Sequence, residues 1–194
     1  MKHKLLLISI LFSFYNSIAQ TDSSKISLSN YRDKIFSVFN GCSLIDDELS
    51  NAIKTKNAND IEQKRIALLQ CAGDGMKTLD LNKDYEGDAS LKYSCKEVLR
   101  FYQQTAEYDI PQLRDFYKSE NNFLNVKNEF EKKPVKKHSQ SEIIAYNKEV
   151  KKNNEGVTKF NQFSDFIAAN RKKILKDWYS GERIFMDAHR SRNN

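Results

Sequence analysis

Apolar residues along this chain return every three or four positions, and the cleanest run lies between Glu86 and Asp109. There Leu91, Cys95, Val98, Tyr102 and Ala106 follow one another in steps of four, three, four and four. That spacing lines one face of an α-helix and conflicts with the alternation of a strand. Asp88, after Gly87, predicts the helix start, because its carboxylate can accept from the free N–H groups of the first turn. A single apolar stripe has to be covered, so this segment calls for helical neighbours.

The flanking sequence supplies them. Ser27-Leu28-Ser29-Asn30 offers capping residues ahead of Ile35, Phe39, Cys42, Leu49 and Ile53, a stripe that runs to Thr55. Gly41 inside it costs about 1 kcal/mol relative to alanine. Asn57-Ala58-Asn59-Asp60 breaks the pattern, with Asn59 and Asp60 as N-cap choices for a second helix bearing Ile61, Leu68, Leu69, Ala72, Met76 and Leu79. Gly73 and Gly75 allow that helix to stop early. Leu79 to Gly87 reads as a polar connection to the helix over Leu91–Ala106. Pro111 predicts a kink or restart, since proline has no N–H to give and crowds the carbonyl four residues back. Leu113, Phe116, Tyr117, Phe123, Leu124 and Phe130 then carry the rhythm to Glu131, and EKKPVKKH from Glu131 to His138 is a basic break. Ser139 or Ser141 caps a last helix with Ile143, Tyr146, Val150, Val157, Phe160, Phe163, Ile167, Ile174 and Trp178 on its stripe. Gly181 is expected to end it, ahead of a short helical tail from Glu182 to Ala188.

These elements predict an all-α, up-and-down four-helix bundle whose third and fourth helices are long, the third kinked at Pro111. With 1.5 Å of rise per residue, the segments on either side of Pro134 outreach the first two helices and form an overhanging hairpin. Its tip carries Lys132, Lys133, Lys136 and Lys137. A sharp fold-back at Pro111, giving a compact five-helix domain, is the alternative. Two prolines and six glycines among 194 residues argue against a sheet protein full of tight turns.

The N-terminus changes the setting of this bundle. Lys2 and Lys4 precede an apolar run from Leu5 to Tyr15, and Ser17-Ile18-Ala19 places small residues where a signal peptidase inspects them. The expectation is a signal peptide over residues 1–19 cleaved after Ala19, a flexible stretch over 20–26, and one helical domain over 27–190 of an exported protein, periplasmic or secreted. The apolar run is too short to span a bilayer, and no transmembrane segment is expected after cleavage. The formal charge of +6 falls to about +4 without Lys2 and Lys4. That excess is spread over several helices, so nucleic acid is not expected as a partner.

Candidate chemistry is sparse. In an oxidising compartment Cys42, Cys71 and Cys95 suggest a disulfide. Counting from the two turns places all three within about 5 Å of one height along the bundle, so any pair is conceivable. Cys71 belongs to a helix that neighbours both others and is the expected common partner, with Cys95 one choice, and a buried unpaired set is the competing outcome. Asp80, Asn82, Asp84, Glu86 and Asp88 alternate like the first half of a calcium loop, but Tyr85 replaces the turn glycine and Leu91 the closing glutamate. Phe101, Tyr102, Tyr108, Phe116, Tyr117, Phe160, Phe163, Phe166, Trp178 and Tyr179 suit either a bundle core or a pocket between helices. Asp46, Asp47 and Glu48 read as a solvated helix face. There is no HExxH, no GxSxG and no glycine-rich phosphate cradle. No enzyme activity and no metal or other cofactor is therefore expected.

Tyr31-Arg-Asp-Lys-Ile35, the segment EGDASLKYSCKEVLRFYQQTAEYD from Glu86 and FNQFSDFIAAN from Phe160 resemble an uncharacterised family of exported bacterial surface proteins. The resemblance covers residues 27 to 178. It implies a helical bundle at the cell surface and transfers no functional residue. Together these readings describe an exported, non-enzymatic bundle that binds a protein or an anionic envelope component, through the basic tip. The alternative is a small-ligand carrier with an aromatic pocket between helices.

Overall fold

The computed structural model describes residues 26–191. The expected signal peptide over 1–19 and residues 20–25 of the expected N-terminal stretch lie outside them. The chain forms α1 (Leu28–Lys54), α2 (Ala58–Leu81), α3 (Ser90–Gln104), α4 (Ile110–Glu131) and α5 (Gln140–Arg190). A π-turn over Thr105–Asp109 fuses α3 to α4, so the five helices make a four-membered, up-and-down bundle with long third and fourth members.

Local chemistry sets the boundaries. Ser27 caps α1 by accepting from the Asn30 N–H at 3.2 Å. Lys56, left-handed at φ 54°, then reverses the chain, with Asn57 N–H on the Ala52 carbonyl and Lys56 N–H on that of Ile53. The cap of α2 is Asn57, not Asn59 or Asp60: the chain is extended only at Asn57, whose side chain accepts from the Asp60 N–H. Asp88 does not occupy the cap position of α3, which is Ala89, but stands one residue ahead of it, its Oδ1 accepting from the Ser90 N–H at 2.8 Å. Ser139 and Glu142 form a reciprocal capping box that opens α5.

One sequence expectation fails at a glycine: α5 continues through Gly181 to Arg190 as one helix of 51 residues. The early stop that Gly73 and Gly75 left open for α2 is not taken, and that helix runs to Leu81. The reason is close helix packing. A Cβ on Gly75 would lie 2.9 Å from Val38 and 3.0 Å from Leu99, and one on Gly181 would lie 2.7 Å from the Ser94 hydroxyl. Each glycine lets a neighbouring helix approach and leaves its own helix intact. At Pro111 the accommodation comes earlier in the chain. Ile110 N–H bonds to the Thr105 carbonyl, five residues back. The wider turn absorbs the residue whose carbonyl the proline leaves without a donor.

The core runs through Tyr31, Ile35, Phe39 and Leu49 of α1, Leu68, Ala72 and Leu79 of α2, and Leu91, Val98, Leu99 and Tyr102 of α3. Leu113 and Tyr117 of α4 and Trp178 and Phe185 of α5 close it. Trp178 is the principal knob from α5, its ring 4.9 Å from that of Phe39. Full burial of side chains this size contributes roughly 1.5–3 kcal/mol each. Cys42 is bonded to Cys71, joining α1 to α2 with Cα atoms 5.6 Å apart. The Cys71–Cys95 pairing is not formed, because Cys95 is buried with its sulfur 3.8 Å from the Ile35 carbonyl of α1.

Candidate functional site

The α1–α2 turn marks where the bundle body ends. Tyr117 of α4 donates its hydroxyl to the Ile53 carbonyl at 3.0 Å, and Lys56 pairs with both oxygens of Glu120 at 2.8 and 2.9 Å. Eleven further residues of α4, about 16 Å of helix, lie beyond Glu120. They run beside α5, and among the described residues no third helix covers them. Between Tyr117 and Trp178 no residue is fully buried.

This arm is held by rings and by its loop. Phe130 is sandwiched between His138, 3.9 Å away, and Tyr146, 4.0 Å away, all three nearly parallel. His138 Nε2 lies 3.2 Å from the Lys133 carbonyl, and a short 3₁₀ turn over Val135–Lys137 follows Pro134. Glu142 binds the Ser139 N–H at 2.7 Å and the Lys133 ammonium at 3.2 Å. Hydrogen bonds from the Ser139 backbone and side chain, then Lys133, bring its carboxyl down to about 2. The tip is thus a built loop. Lys132 pairs with Glu129 and Lys133 with Glu142, whereas Lys136 and Lys137 have no carboxylate within 4.0 Å among the described residues. All four predicted lysines lie at this one place.

The charge distribution is uneven. Residues 121–160 hold nine lysines against five glutamates, while residues 28–120 and 161–190 together hold 19 basic and 20 acidic side chains. At the base of the arm, level with the end of the body, a groove of about 570 Å³ lies between α4 and α5. Leu113, Phe116, Phe160 and Phe163 form its floor, with Gln112, Lys159 and Gln162 at the rim. Phe116 stacks on Phe160 at 4.4 Å, and Gly156 lies against the Phe116 ring. No family model, curated protein or solved structure matches the chain.

Two polar clusters in the body escaped the sequence reading. Asp46 is not on a solvated face: it is 1% exposed and paired with Arg171 of α5, which also donates to the Ser50 hydroxyl. Position 46 falls on the buried stripe, four residues after Cys42 and three before Leu49, so the carboxylate turns inward. Burial raises its carboxyl to about 6 against the opposing pull of Arg171. Tyr102 lies beside this pair, and burial, then the Asp46 charge, pushes its hydroxyl well above the ordinary tyrosine value. At the other end of α5, His189 is 1% exposed, with Nε2 2.9 Å from Asp88 Oδ2 and its ring edge-on to Tyr85. Burial works against Asp88, but Ser90 and then His189 hold its carboxyl below the usual range.

The calcium-like run does not converge. Asp80 pairs with Lys96, Asp84 with Lys92 and Asp88 with His189, partners that lie on α3 and α5. Among the described residues no group of three or more His, Cys, Asp or Glu side chains is arranged to hold a metal ion, and no helix is long and apolar enough to cross a membrane. Of the aromatic candidates, Tyr102 and Trp178 are core, Phe116, Phe160 and Phe163 reach the groove, and Tyr108, Phe166 and Tyr179 are exposed.

Proposed function

We propose that this protein is an exported, non-enzymatic helical bundle that presents the α4–α5 arm to an anionic partner at the cell envelope. The observation that carries this is the coincidence of two properties in one element: the arm that outreaches the body is also where the lysine excess collects. The Cys42–Cys71 bond supports an oxidising compartment, as does the resemblance of the Tyr31, Glu86 and Phe160 segments to exported surface proteins. Capture of the chain from Gln20 to Asn194 on immobilised envelope extract, at low and high salt, tests the proposal. Replacing Lys132, Lys133, Lys136 and Lys137 by glutamine should abolish the salt-sensitive fraction. Capture that ignores the four substitutions removes the tip from the mechanism.

The groove favours a second reading, a carrier for a small apolar or aromatic ligand. A floor of four apolar side chains with a few polar rim groups is the usual make-up of such sites. Native mass spectrometry of protein purified from its own cell would show an added mass that Gly156→Leu removes.

A further inference from the structure

We infer that the partner at the arm is an anionic lipid bilayer, met end-on by the tip. The inference rests on the proposal that the arm binds an anionic component, and it adds what that component is. Lys132, Lys133, Pro134, Val135, Lys136 and Lys137 are consecutive, and Val135 is 66% exposed in the middle of them. The apex is therefore an exposed apolar residue flanked along the chain by lysines, of which Lys132 and Lys133 are paired with Glu129 and Glu142. A soluble polyanion could use the lysines alone and would leave Val135 in water. A bilayer surface uses both, with headgroup phosphates taking the ammonium groups and the interfacial layer taking the valine.

The geometry fits an end-on approach. Among the described residues the tip lies beyond the α1–α2 turn, which is level with Tyr117 and Glu120, so the body does not obstruct it. The Phe130–His138–Tyr146 stack and the Ser139–Glu142 capping box hold the loop in shape before contact, so little ordering is needed on docking. Among the described residues, Lys136 and Lys137 have no competing ion pair to break. Along α5 beyond the loop, Lys148, Lys151 and Lys152 are balanced by Glu142, Glu149 and Glu155, so the net positive charge stays at the tip.

The test is co-sedimentation of the chain from Gln20 to Asn194 with vesicles of phosphatidylcholine alone and of phosphatidylcholine mixed with anionic phosphatidylglycerol, alongside binding to soluble polyphosphate. The expected result is binding only to the anionic vesicles. Lys136→Gln or Lys137→Gln should each lower the partition coefficient about five-fold, and Lys132→Gln or Lys133→Gln, whose ammonium groups are paired with Glu129 and Glu142, should lower it less. Val135→Ser, which leaves the charge intact, should lower it several-fold, and a Val135→Trp variant should shift its emission to the blue on vesicles and not on polyphosphate. Lysine-dependent binding to polyphosphate with none to vesicles overturns the lipid inference and leaves the anionic-partner proposal standing. Binding to neither overturns both. Vesicle binding indifferent to Val135→Ser also overturns the inference, since the apex then takes no part. Circular dichroism of each variant checks that these exposed changes leave the helices in place.

Discussion

Replacing Asp46 by asparagine isolates the effect of one buried charge. Burial raises the carboxyl of Asp46 in the folded protein to about 6 from an ordinary 3.8, despite Arg171. The folded state then holds a proton that the unfolded state has released, so the contribution to stability is fully present below pH 3.8 and is lost as pH rises through 6. A shift of about two units corresponds to about 3 kcal/mol. Wild type and Asp46→Asn should therefore be close in stability at pH 4, and the asparagine variant should be ahead by up to about 3 kcal/mol at pH 7.5. Urea unfolding of both proteins at half-unit steps of pH measures this. Taking the difference matters, because Glu62, Asp80, Asp88 and Glu142 are shifted downwards and tilt both curves the other way. A flat difference would show a carboxyl at its ordinary value. A difference of opposite slope would mean that the Arg171 pair outweighs burial, refuting the account of this layer.

Three further outcomes follow from the body. Converting Cys42 and Cys71 to alanine reopens a loop spanning 29 positions and should cost about 3–4 kcal/mol in the chain-entropy account, read as a lower urea midpoint. Cys95, buried and with its thiol pushed up to about 12 by desolvation, should resist iodoacetamide in the native protein and react fully in denaturant. Gly41→Ala meets nothing within 4 Å and should raise stability by about 1 kcal/mol, while Gly75→Ala drives a methyl into Val38 and Leu99 and should lower it by about 1–3 kcal/mol. Thermal melts of the two glycine variants check both signs.

The overhang was legible because it depends only on segment length: the stretches flanking Pro134 are longer than the first two helices, and 1.5 Å per residue does the rest. The buried ion pair was also written in the pattern, as two gaps. The α1 stripe jumps from Cys42 to Leu49 and the α5 stripe from Ile167 to Ile174, and the positions that fill those gaps are Asp46 and Arg171. Complementary charges at vacant stripe positions are the signal that could have found them. His189 was hidden by treating Gly181 as a stop; without it, the stripe continues from Trp178 to Phe185 and His189. The roles of Gly75 and Gly181 were not legible, since each depends on how near a neighbouring helix comes. Cysteine pairing was underdetermined for a similar reason. Height along a bundle follows from counting residues, whereas the face that α3 turns towards α1 follows from packing.

The unbroken α5 has a mechanical consequence. The same rod, about 76 Å long, begins beside the lysine-bearing loop and ends where His189 meets Asp88. No linker separates the two ends, so an object gripping the apex also aims the body, at a standoff fixed by helix stiffness.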